Sequence, residues 1–215
     1  MVYLCKKGGQ TVKTLMERLY DNIDEAKAFA ISFTNFIYFY DDIALVDFFD
    51  TPCEICDTSP QIRDYLAPKA NCKKPYGILH SLDMGVSQEL RDELIANFNI
   101  TEADFRPVRS KRGEVVFYQI TPQHTMLPIY KVNKWSAKKP CPKCGSVRYS
   151  DREYWNNHDE PYYYISQEAL DDMTDLNITY ERFSGDSAMY VISRRVYDFL
   201  VERYPRTHYF PFFLK

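Results

Sequence analysis

Two cysteine pairs constrain this chain more than any other feature. Cys53 and Cys56 stand in DTPCEICD and Cys141 and Cys144 in KKPCPKCGS, each spaced Cys-x-x-Cys, with 84 residues between the pairs. A zinc ion takes four tetrahedral ligands, and a Cys-x-x-Cys turn aims two thiolates at one ion. If the pairs share an ion, the chain between them must be a folded body that carries the second pair back to the first, which a compact zinc ribbon never has to do. Gly145 after the second pair accepts the positive backbone angles such turns use, whereas Asp57 follows the first. Lys138, Lys139 and Lys143 beside the second pair offset the net negative charge of four thiolates around one zinc. Two other readings stay open: a redox pair, which calls for a strand and then a helix starting at its first cysteine, and buried inert thiols. Cys5 and Cys72 read as thiols outside any site.

Four cysteines close a zinc shell, so the expected Zn2+ is structural rather than catalytic. His80, His124, His158 and His208 form no HExxH or HxE pattern, and the chain has no Walker loop, GxSxG or GxGxxG. The expectation is a protein that is not an enzyme.

At 215 residues with 45% hydrophobic side chains, the chain can bury a core as one large domain or two small ones. Residues 11–31 space Leu15, Leu19, Ile23, Ala26 and Ala30 as a helix or two short ones. The stretch 32–49, aromatic and β-branched, reads as strand, and 57–78 as loop. VSQELRDELIA, from 86 to 96, reads as a serine-capped helix. VVFYQITP, from 115, reads as a strand after a turn at Gly113, AMYVIS as a strand, RRVYDFLVERY as a helix and 209–214 as a strand.

An internal echo runs through these elements. Residues 86–108 align with 191–213, matching Ser87 with Ser193, Asp92 with Asp198, Leu94 with Leu200 and, after a two-residue deletion, Pro107 with Pro211. Generic strand, capped helix and strand units would look alike, and true duplication is the other explanation. The expected fold is therefore α+β: a mixed sheet with flanking helices, two similar strand-helix-strand halves joined by a split four-cysteine zinc knuckle site. Residues 1–44 form a helical and strand region without clear affiliation, and 45–215 the double-CxxC domain with its repeat.

Charge is segregated although the net charge is only -3. Lys131 to Arg148 holds six basic residues and no acid, while Asp151 to Asp186 holds ten acids against Arg152 and Arg182. The start has neither a signal-peptide layout nor an 18-residue apolar run, so a cytoplasmic protein without a membrane span is expected.

The order of a CxxC pair, VSQELRDELIANFNITEADFRPV, VVFYQITP, CPKCGS and a terminal YVISRRVYDFLVERYPRTHYFPFF resembles the double-CXXCG family of immunity proteins from bacterial polymorphic toxin systems. The resemblance covers about residue 45 to the end, and Cys53, Cys56, Cys141 and Cys144 stand where that family has its paired cysteines. The first pair departs from the pattern in lacking the glycine. The resemblance implies a non-enzymatic protein that binds and neutralises a cognate protein toxin. An acidic, tyrosine-rich surface suits such occlusion, with Tyr154, Trp155, Asp159, Glu160, Tyr162, Tyr163 and Tyr164 as candidate contacts. The alternative is a zinc-containing nucleic-acid-binding protein that lays Lys131 to Arg148 on phosphate, against which the overall acidity weighs. Self-association is left open.

Overall fold

The computed structural model describes residues 15–32, 54–55, 65–67, 76–80, 83–110, 112–129, 139–143, 163–181, 188–205 and 207–215. Within them the chain is α+β, with mixed sheets and few helices. The strands are β1 (Ala28–Ser32), β2 (Tyr65–Ala67), β3 (Tyr76–His80), β4 (Asp83–Val86), β5 (Phe105–Ser110), β6 (Val115–Ile120), β7 (His124–Thr125), β8 (Tyr163–Ile165), β9 (Leu176–Ile178), β10 (Tyr190–Ser193) and β11 (His208–Leu214). The helices are α1 (Leu15–Leu19), α2 (Gln88–Asn97), α3 (Gln167–Asp172) and α4 (Arg194–Arg203). No helix among the described residues is long and apolar enough to cross a membrane.

Serine sets where three of the helices begin. Ser87, Ser166 and Ser193 each hold extended backbone angles, and each hydroxyl accepts the amide N–H three residues on, from Leu90, Ala169 and Val196. That satisfies a donor the first helical turn would otherwise leave bare, worth about 1 kcal/mol per cap. Each serine also ends or directly follows a strand, so all three units switch from strand to helix at one residue.

Two sheets result. One has the order β2-β5-β6-β4-β3 and the other β7-β9-β10-β1-β11-β8. Setting β7 aside, the two repeat a single arrangement. A central strand, β6 or β1, lies antiparallel between the two strands that a capped helix joins, β4 and β5 in one sheet, β10 and β11 in the other. Outside them an antiparallel neighbour, β3 or β9, completes one edge and a parallel one, β2 or β8, the other.

The registers repeat as well. Tyr118 on β6 faces Val86 and Pro107; Phe29 on β1 faces Ile192 and Pro211. Tyr65 pairs with Val108 and Tyr163 with Phe212, so each proline stands just before the outer strand begins to pair. Proline cannot donate to a ladder, and that position makes the least demand for a donor. The fifth residue of each capped unit then covers the central aromatic. The Arg91 guanidinium lies 4.5 Å from the Tyr118 ring centroid, and Tyr197 stacks on Phe29 at 3.6 Å.

One connection differs. In the first half β6 follows β5 through a turn closed by Gly113, whose φ of 83° suits glycine. In the second half the central strand is β1, from the other end of the sequence, and Lys27 N–H donates to the Phe212 carbonyl at 2.8 Å. Residues 28–32 are thus a strand where helical spacing had suggested a helix, which among the described residues survives as α1 and a single 3-10 turn at Ile23–Glu25. Alternation explains this outcome. Phe29 and Ile31 enter the core between the two halves while Ala28 and Ala30 enter the core on the opposite face, so the strand is apolar on both sides. The stretch read as loop also contains β2 and the start of β3, while the strand expected over 32–49 lies, beyond Ser32, outside the described residues.

The main core draws on both halves: Val86, Leu90, Leu94, Phe105 and Ile120 meet Ile192, Val196, Leu200, Tyr209 and Ile31. Phe98 and Phe199 meet edge to face, 5.1 Å between centroids, where α2 and α4 run out. A second core on the other face of the six-stranded sheet joins Val191 and Phe212 to Met126, Ile129, Ile165 and Ala169.

Candidate metal centre and the polar staple between the halves

Both cysteine motifs show a turn at their two middle residues, Glu54–Ile55 in the first and Pro142–Lys143 in the second. The Lys143 ammonium donates to Glu54 Oε2 at 2.5 Å, an ion pair between residues 89 positions apart. With side chains 49% and 78% exposed, the pair adds little stability. Its value is as a ruler, because it puts the middle of one Cys-x-x-Cys turn against the middle of the other. Cys141 is buried. Cys53, Cys56 and Cys144 lie outside the described residues, so among the described residues no group of three or more potential ligands gathers. The first motif precedes β2 and the second precedes β8, and these strands are equivalent in the repeated arrangement.

Of the candidate contact residues, two are described. Tyr163 is 3% exposed, stacked on Phe212 at 4.6 Å, and therefore anchors the edge strand instead of facing a partner. Tyr164 is half-buried, with Phe213 at 6.4 Å and the Lys215 ammonium 5.5 Å from its ring. Tyr154, Trp155, Asp159, Glu160 and Tyr162 lie outside the described residues. In the basic stretch, Lys143 has its charge matched by Glu54.

A polar cluster that sequence reasoning missed centres on Asp175, just before β9. Its carboxylate is 4% exposed and accepts from the Asn99 N–H at 2.7 Å, the Ser193 hydroxyl at 2.5 Å and Arg195 Nε at 2.6 Å, with Arg195 Nη2 on the second oxygen. Asn99 leaves α2 in the first half, and Ser193 and Arg195 open α4 in the second, so one carboxylate ties the halves together. Burial pushes its pKa up, but the bonds from Arg195, Ser193 and Asn99 outweigh that and hold it below the ordinary 3.8. Arg195 is raised in turn, chiefly by its hydrogen bond to Asp175. Nothing local distinguishes Asp175 among the acids of DDMTD. The usable signal was the serine cap of α4, whose hydroxyl both caps and donates.

A smaller cluster holds β7 to the sheet. His124 Nδ1 lies 2.9 Å from Asn177 Oδ1, and its Nε2 lies 3.5 Å from Asp172. Asn177, fully buried, also accepts from the Thr174 N–H and donates to the carbonyls of Thr174 and Val191. Burial lifts the Tyr197 phenol well above its ordinary range, so this half's counterpart of Arg91 stays neutral.

No family model, no curated protein and no solved structure matches this chain.

Proposed function

We propose that the chain is a binding protein of the immunity type, which neutralises a cognate protein toxin by covering its active surface, and whose two halves are tied by a structural zinc held by Cys53, Cys56, Cys141 and Cys144. The observation that carries the metal is the Glu54–Lys143 contact between the two turns. Consecutive Cα atoms are about 3.8 Å apart, so each residue of that pair has a cysteine as its immediate chain neighbour, Cys53 for Glu54 and Cys144 for Lys143. Thiolates from two such turns match zinc.

The toxin-binding role rests on the resemblance carried by the paired cysteines and the repeated serine-capped units. The acidic aromatic segment supports it by its position in the sequence, directly before the edge strand β8 that Tyr163 pins to the sheet. A partner would then meet an anchored edge, which limits the ordering cost of binding.

Metal analysis of the purified protein should find about one zinc per chain. Cys141→Ser should remove the zinc and lower the Tm by on the order of 10 °C. Unchanged zinc and Tm would exclude a shared site. Glu54→Lys alone should weaken zinc retention under a chelator, and adding Lys143→Glu should restore it, because the double reversal rebuilds the pair. For the partner, a reading frame beside this gene should encode a protein lethal only when this chain is absent; a harmless neighbour would count against immunity. Steep salt-dependent binding to generic DNA or RNA would favour nucleic-acid binding instead.

A further inference from the structure

We propose that β1 is an exchangeable strand whose alternative acceptor is a second copy of this chain, so that two copies can trade β1 and form a closed, symmetric dimer. The repeated arrangement points there. In the first half the central strand arrives by the short turn at Gly113 and is covalently committed to its neighbours. In the second half the same place, with the same register, is filled by a strand more than 150 positions from β10 and β11 in the sequence. Every contact β1 makes with that sheet would be reproduced if β1 came from another copy.

The strand has the features exchange needs. It pairs with β11 over its whole length, from Ala28 opposite Phe212 to Ser32 opposite His208, and with β10 from Ala28 to Ala30, and Phe29 and Ala28 are fully buried. A copy that gave up β1 would expose the flanks of β10 and β11 together, so only a reciprocal trade restores both, and this makes the dimer isologous and closed. Twenty-one residues separate Ser32 from Glu54, which Lys143 holds to its own chain. At roughly 3.3–3.6 Å per residue this spans up to about 70 Å, so the chain can reach a second sheet. The competition is with the chain's own β1, whose effective concentration is on the order of millimolar, so the monomer prevails in dilute solution and exchange follows unfolding and refolding at high concentration.

The test uses full-length chains. Ser32→Cys and His208→Cys place thiols on directly opposed residues at the end of the β1–β11 ladder. Chains carrying one substitution each are mixed, unfolded with zinc and reductant present, refolded at about 10 μM and about 1 mM, and oxidised. Light scattering gives the mass and peptide mapping locates the 32–208 disulfide. A dimer formed only at the higher concentration, with 32 of one chain linked to 208 of the other, is expected. Monomer at both concentrations, or a dimer with no 32–208 link between chains, would overturn the proposal. A parallel chain carrying both substitutions should form the link within itself at 10 μM. The readout does not depend on bound metal or on any toxin, so its failure leaves the functional reading untouched.

Discussion

Asp175→Ala is expected to lower the unfolding free energy by about 3 kcal/mol. The carboxylate gathers donors from both halves, and its removal takes the acceptor from the part-buried Asn99 N–H and Ser193 hydroxyl, each at a cost near the lower end of about 1–3 kcal/mol. Arg195 contributes less than a buried partner would, because its side chain is 60% exposed and can turn to water. Arg195→Ala should therefore cost only about 1 kcal/mol, and urea unfolding at pH 7 should separate the two variants clearly.

The same residue sets a pH dependence with a definite sign. The folded state holds Asp175 below its ordinary 3.8, so the unfolded chain binds the proton first. Its contribution is fully present above the unfolded value and is lost as the pH falls through the folded one. The stability difference between wild type and Asp175→Asn should therefore be flat from neutral pH down to about pH 5 and shrink below pH 4. A difference that grew on acidification would contradict the assignment of Asp175 as an ionised staple.

Phe29→Ala should cost about 3–5 kcal/mol, the range for emptying a fully buried aromatic site. The loss follows from position. Phe29 sits in the middle of the central strand of the six-stranded sheet, faces Ile192 and Pro211, and carries the Tyr197 ring. Neither flanking strand can close the hole without leaving its register. At about 2–4 °C per kcal/mol for a chain this long, the Tm should fall by roughly 10 °C or more. Leu19→Ala, at a side chain 53% exposed, should stay within about 0.5 kcal/mol by the same measurement.

Much of the architecture was legible in short stretches. Serine before an apolar helical stripe located α2 and α4, and the strands after Gly113, before Ser193 and at the end of the chain came from branched and aromatic residues. The echo between 86–108 and 191–213 was visible as aligned serines, leucines and prolines, and the two segments occupy equivalent places down to the register of Pro107 and Pro211. The errors came where local pattern and environment disagree. Ala26 and Ala30 fit a helix by spacing and propensity, yet residues 28–32 form a strand because both faces of the central position are packed. Of the candidate contacts, Tyr163 is buried and stacked on Phe212, a partner 49 positions away that a linear reading does not supply.

The sequence by itself determined the local choices: where helices start, which segments alternate, which two turns carry paired cysteines, and that two stretches share one pattern. Those choices depend on interactions within about four residues, capping, side-chain period and turn geometry, which a linear reading contains in full. Only the tertiary structure decided that β1 completes the sheet of the second half, that Glu54 meets Lys143, and that Asp175 joins Asn99 to Ser193 and Arg195. Each of these joins residues between 18 and 184 positions apart. Such pairings arise because burying two equivalent apolar faces in one core brings the halves together, and polar partners then form where the packing leaves them opposed.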